Sequence, residues 1–183
     1  YTSNIKKNFY ADILAKNALK LLNHNLAKVL KNGADLEARQ NMLVGSMLAG
    51  QAFANAPVGA VHALAYPLGG HFHLSHGHSN ALVLVEVLKF NAPKAKQYYA
   101  ELMQLLDPRS TGCTDGLCDL FIDHMQNHLD QSGLTLKLKN LDIPEAKLPQ
   151  LAKDALLQTR LLQNNPRELT EQDALQIYQA IYA

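Results

Sequence analysis

Apolar positions recur every three or four residues through most of the chain, the spacing of an amphipathic helix. Ile13, Leu14, Leu19, Leu22, Leu26, Val29 and Leu30 predict a first helix, starting near Asn4 or Asp12 and ending at Leu30. Lys31-Asn32-Gly33 stops it, with glycine free to take a left-handed conformation. Asp35 fits the N-cap of a second helix from Leu36 to about Asn55. Met42, Leu43, Met47 and Leu48 are expected inward, and the small residues Gly45, Ser46, Ala49, Gly50, Ala52 and Ala54 suit a central packing position. Pro57 and Gly59 break the chain before a third helix, which Pro67, Gly69 and Gly70 are expected to stop. A connector over 71–75 leads to a fourth helix that starts near His76 or Ser79 and ends at Phe90-Asn91-Ala92-Pro93. Its middle is almost wholly apolar, as in a helix buried on most sides.

A fifth helix follows from about Pro93 to Leu106, with Tyr98, Tyr99, Leu102 and Leu105 as its stripe. A sixth runs from about Asp115 to Gln131 and stops at Gly133. Leu134 to Leu141 alternates in the manner of a strand but has no second strand to pair with, so an extended connector is expected. A helix over Leu148 to Leu162 comes next, and Thr170 with Asp173 forms a variant capping box for the last one. The predicted class is all-α, a single helical domain over residues 1–183.

Composition narrows the function classes. The chain is 48% hydrophobic and 18% charged with net charge +1, which argues against an electrostatic partner such as nucleic acid or a membrane surface. No apolar run is long enough to span a bilayer, and the first residues carry no signal-peptide pattern. Cys113 and Cys118 lie five positions apart, unlike a C-x-x-C pair, so two reduced thiols in a cytoplasmic protein are expected.

Five of the eight histidines, His62, His71, His73, His76 and His78, fall in VHALAYPLGGHFHLSHGHSNA. Imidazole is the commonest protein metal ligand and titrates near neutral pH, so the cluster points to a metal site or proton chemistry. The structural alternative is a polar loop with its histidines in solvent. His62 and Tyr66 are four apart and share a helical face. His62 and His76, fourteen positions apart, can meet across a helix–turn–helix. His71 and His73 are more readily explained as exposed loop residues, and His24, His124 and His128 as members of polar helix faces.

The surrounding residues resemble the iron-containing (group III) alcohol dehydrogenase family. FANAPVGAVHALAYPLGG and HGHSNALVLVEVLKFN follow that family's FSNxxLGxVHAxAHPLGG and PHGxxNAxLLPxVxxFN. Phe53, Asn55, Gly59, His62, Ala63, Pro67, Leu68, Gly69, His76, Gly77, Asn80 and Ala81 lie in register with it. YTSNIKKNFYADILAKNALKLL and NNPRELTEQDALQIYQAIY extend the resemblance to both ends. It implies the C-terminal helical domain of a two-domain, dehydroquinate synthase-like enzyme. His62 and His76 match two of four ligands to a catalytic divalent metal, Fe2+ or Zn2+. Phe53 matches an aromatic residue lining the substrate and nicotinamide pocket, though an ordinary core phenylalanine is an equal alternative.

The other two ligands come from a D-x-x-x-H segment, expected with the NAD(P)-binding domain upstream of Tyr1. Within the chain, Asp12 has Lys16 four positions on. The 183 residues alone are therefore expected to be inactive. The resemblance implies hydride transfer between a small-molecule alcohol or aldehyde and NAD(P), in a protein compatible with a homo-oligomer. Tyr66 stands where the family often has a proton-relaying histidine, and its phenol is a weaker base at neutral pH. Ser75 replaces a common proline, and His78 and Val85 also depart from the pattern. Two other readings remain: a free-standing metal-binding module on His71, His73, His76 and His78, and a structural or interaction domain without chemistry.

Overall fold

The computed structural model describes residues 1–183 and contains eight α-helices and no strand. They are α1 (Phe9–Lys31), α2 (Leu36–Asn55), α3 (Ala60–Phe72), α4 (His76–Leu106), α5 (Thr114–Gln131), α6 (Leu148–Leu156), α7 (Thr159–Leu162) and α8 (Glu171–Ala180). The all-α class is as the periodicity predicts. The chain divides into two units, one of residues 1–57 and 95–132, the other of residues 58–94 and 133–183. α4 contributes residues to both.

In the first unit α1 packs along α2. Asn8 caps α1, its side chain accepting from the Ala11 N–H. The helix ends without the expected left-handed glycine. Asn32 is extended, its N–H bonds the Lys28 carbonyl, and the left-handed glycines are instead Gly112 and Gly133. Asp35 caps α2 as expected, accepting from Ala38 N–H at 3.0 Å. The inward face of α2 is not the expected one. Ala38, Gly45 and Ala52 are buried, whereas Leu43 is 72% and Met47 54% exposed. The small residues make a seam rather than a central helix: a Cβ on Gly45 would stand 2.9 Å from Leu22 Cγ of α1. Cys113 caps α5 through Sγ, both cysteines are free, and Tyr99 of α4 stacks on Phe121 of α5.

The second unit holds the main apolar cluster, including Leu64, Leu68, Val83, Val87, Leu138, Leu148, Leu151 and Tyr178. α3 packs on α6 and α7, and α6 packs on α8. α3 runs through the expected stop. Pro67 lies inside it, buried, and the turn ends only at His73, which takes the left-handed conformation at φ 55° and donates its N–H to the Gly69 carbonyl. Proline forgoes one helical hydrogen bond, a loss that apolar burial on either side of it offsets here. The predicted fourth and fifth helices are likewise one, α4, with Pro93 inside. Conversely, the helix expected over Leu148 to Leu162 is two, broken at Leu157 and Gln158.

Residues 134–137 are irregular, and 138–141 form a 3-10 turn whose Leu138 and Lys139 N–H groups bond the Ile181 and Tyr182 carbonyls. The capping box of α8 is present as predicted: Thr170 accepts from Asp173 N–H, and Asp173 accepts from Thr170 N–H.

Buried polar groups fix the start of α3. Asn165 Oδ1 accepts from Ala60 N–H at 3.2 Å and from Asn91 Nδ2 at 3.0 Å. Its amide donates to Asn91 Oδ1 and to the Arg167 carbonyl. Arg167 in turn donates to the Phe90 carbonyl and lies over the Phe90 ring. Gly59 is required beside this network, since a Cβ would come within 3.2 Å of the Asn165 Cα.

Candidate metal centre

His62 and Tyr66 project from α3, and His76 opens α4. The three-residue link 73–75 brings their rings together. The centroids of His62 and His76 are 5.1 Å apart and tilted by 54°. The Tyr66 ring stands 6.4 Å from that of His62 and 6.2 Å from that of His76, and the residue is 43% exposed. The buried Tyr178 hydroxyl donates to the Leu64 carbonyl at 2.6 Å, pinning α8 to the turn of α3 that carries His62 and Tyr66.

Whether a metal fits can be read from that spacing. An imidazole bound through nitrogen at about 2.1 Å has its centre about 3.2 Å from the metal, so two at a tetrahedral angle stand about 5.2 Å apart. The pair therefore already has the separation of two ligands on one ion. Burial, and next the charge of His76, lower the His62 pKa. That keeps the ring neutral, the form that ligates. Asn80, one turn into α4, places Nδ2 3.0 Å from both the His76 carbonyl and His76 Nε2. Its amide donates to the carbonyl, and to Nε2 where that nitrogen is unprotonated; a metal on Nε2 would take the place of that second bond. Asn80 Oδ1 is buried beside this pair without a hydrogen-bond partner.

No third His, Cys, Asp or Glu completes the set within the chain. Asp12 is held by Lys7 Nζ at 2.6 Å, in the other unit. Two imidazoles fit a divalent transition metal as part of a ligand set, and further donors are required for a closed site.

The remaining histidines of the motif separate from the pair. His71 lies 2.6 Å from Asp154 of α6, and His73 is the exposed cap of α3. His78 Nε2 meets the Thr135 carbonyl at 2.7 Å. They do not form one site with His76. Phe53 is on α2 in the first unit and 53% exposed. His24 is exposed, and His124 and His128 lie where α5 faces α1. Both are half-buried and meet Asn23 of α1. Their i, i+4 spacing on α5 was the available signal.

A model of the C-terminal domain of the Fe-containing alcohol dehydrogenase family matches residues 1–182. The chain is 38% identical over 174 residues to long-chain-alcohol dehydrogenase 1 of Geobacillus thermodenitrificans, covering 94% of this chain and 44% of that protein. It is 33% identical over 172 residues to 1,3-propanediol dehydrogenase of Klebsiella pneumoniae, covering 93% and 44%. A crystal structure of 1,3-propanediol oxidoreductase superposes with a TM-score of 0.94 at 31% identity, over 100% of this chain and 47% of that one. An alcohol dehydrogenase of Oenococcus oeni superposes with a TM-score of 0.92 at 31% identity, with the same coverage. The chain thus spans a little under half the length of these relatives. With its helices, its motif and nearly its whole length in register, the chain belongs to the Fe-containing alcohol dehydrogenase family and corresponds to its C-terminal domain.

Proposed function

We propose that this domain holds a catalytic divalent metal through His62 and His76 in an NAD(P)-dependent alcohol dehydrogenase. Such an enzyme interconverts a small-molecule alcohol and its aldehyde. The 5.1 Å ring separation carries the reading. When bound, the metal supplies Lewis acidity toward an alcohol oxygen, and the nicotinamide supplies the hydride chemistry. Iron and zinc both accept imidazole donors.

The chain's own residues hold and orient. His62 presents a neutral ring from α3, and His76 presents its ring from the start of α4 beside Asn80. Asn165 and Tyr178 hold the α3 backbone at Ala60 and Leu64, on either side of His62. Tyr66, one turn beyond His62, offers a hydroxyl that can accept and donate a proton at the exposed edge of the pair. We assign it the relay of the alcohol proton. Phe53 is assigned to the nicotinamide and substrate pocket on the resemblance alone. The remaining ligands and the dinucleotide-binding region are assigned to sequence outside these 183 residues.

Chelation tests this reading. Full-length protein stripped of metal should lose alcohol oxidation with NAD or NADP and regain it on addition of Fe2+ or Zn2+. Undiminished turnover after complete metal removal contradicts it.

A further inference from the structure

Three donor atoms converge in the first unit, away from the motif that marks the family. His124 and His128 sit one turn apart on α5, and Asn23 faces them from α1. His124 Nε2 is 2.5 Å and His128 Nε2 2.7 Å from the same atom, Asn23 Oδ1. The ring centroids are 4.6 Å apart and nearly perpendicular, at 80°.

We propose that His124, His128 and Asn23 Oδ1 form a second binding site, for a divalent late first-row transition metal. Two imidazoles at right angles on one ion, each with its centre about 3.2 Å from it, stand about 4.5 Å apart. The observed centroid separation is 4.6 Å. Neighbouring donors on such an ion stand about 3 Å apart. Asn23 Oδ1 accepts an N–H from each ring, so an ion takes the place it now holds: the ring protons move to Nδ1, and Oδ1 retreats by about 1 Å or more through side-chain rotation.

The donor set of two imidazole nitrogens and one amide oxygen favours nickel, copper and zinc over magnesium or calcium, which prefer oxygen alone. Both rings are half-buried, and burial favours their neutral, ligating form. Phe121, Ile122 and Leu117 on α5 are buried, so the helix face that carries the pair is anchored and the pair is held in place. An ion here ties α1 to α5, whose ligands are 101 positions apart in the chain between Asn23 and His124. It binds the folded state in preference to the unfolded chain, so the unfolding temperature rises with the free ion concentration.

The site is tested on the intact protein with Zn2+ as the probe. In side-chain 1H–15N spectra of the wild-type chain, the His124 and His128 Nε2 resonances should shift on Zn2+ addition, as those of His62 and His76 do. In equilibrium dialysis, His124→Gln and His128→Gln should each lower the bound zinc by one equivalent. His62→Ala should leave that equivalent in place, which distinguishes this site from the first pair. Asn23→Ala should weaken the second equivalent while both rings still respond. Unmoved His124 and His128 resonances at saturating Zn2+ overturn the site, and so does unchanged stoichiometry in both glutamine variants. The spectra decide the matter even where a variant fails to fold.

Discussion

Two pairs of histidines in this molecule look alike in composition and differ in origin. His62 and His76 come from separate helices, and their meeting depends on the length of α3 and on a turn of three residues. His124 and His128 come from one helix, where any residues four apart are neighbours. The first pair has a phenol at its edge and an amide holding one ring. The second has an amide oxygen already placed between both nitrogens. A pair assembled from two elements can be disturbed through either of them. A pair on one helix is disturbed only through its own side chains or its partner Asn23. As proposed, the first pair would serve turnover, and the second would cross-link α1 and α5.

The largest expected effect breaks the first pair alone. In the full-length enzyme, His62→Ala and His76→Ala should each abolish turnover and metal retention at that site, since each removes a ligand from a small set. Metal analysis and steady-state rates check this, and wild-type metal content in either variant removes that residue from the centre. Tyr66→Phe should lower kcat by on the order of 10²-fold with metal content unchanged, as for loss of a general acid–base group. Tyr66→His should restore or raise alcohol oxidation near neutral pH, because imidazole titrates there. Equal rates for Tyr66→Phe and wild type would end the relay assignment and leave Tyr66 a wall of the site.

A third change acts on the first pair from a distance. Asn165→Ala removes the acceptor for Ala60 N–H and the partner of Asn91, so buried donors lose their bonds. The loss should cost about 2–4 kcal/mol of stability in urea unfolding. It should also loosen metal at His62 and His76 while leaving the His124 and His128 resonances where they are. A change of less than about 0.5 kcal/mol would mean that α3 is seated by packing alone.

The smallest effect is in pH. His62, His124 and His128 are each held below the ordinary imidazole value, mainly by burial. A lowered folded-state pKa means that the unfolded chain binds protons first as pH falls. The stabilising contribution is therefore present above about 6.5 and is lost as pH falls through the lower folded values. Metal-free protein should unfold at a lower temperature at pH 5.5 than at pH 7.5. His124→Gln/His128→Gln should show a smaller drop, and a metal-free protein whose unfolding temperature rises on acidification contradicts the assignment.

What the sequence made legible follows the range of the forces involved. Asp35 and Thr170 are local caps, and both ends they predict are where the structure places them. Helix continues through Pro67 because burial of Leu64, Ala65, Pro67 and Leu68 outweighs one missing hydrogen bond, and it continues through the exposed Pro93 between buried Asn91 and Ala95. Leu43 and Met47 read as core but are exposed, since Leu22 of α1 seats against Gly45 and so puts that face of α2 inward instead of theirs. The His62 and His76 pair was marked by its motif. The His124 and His128 pair carried no motif, and nothing local announces Asn23 from 101 positions away.

Anomalous diffraction from crystals of the full-length protein loaded with Zn2+ or Fe2+ tests the central claim most directly. A peak is expected within about 2.0–2.2 Å of one nitrogen from each of His62 and His76, with additional ligands from outside these 183 residues. A fully loaded, active enzyme with its metal peak elsewhere, and with these two rings free of it, would contradict the account.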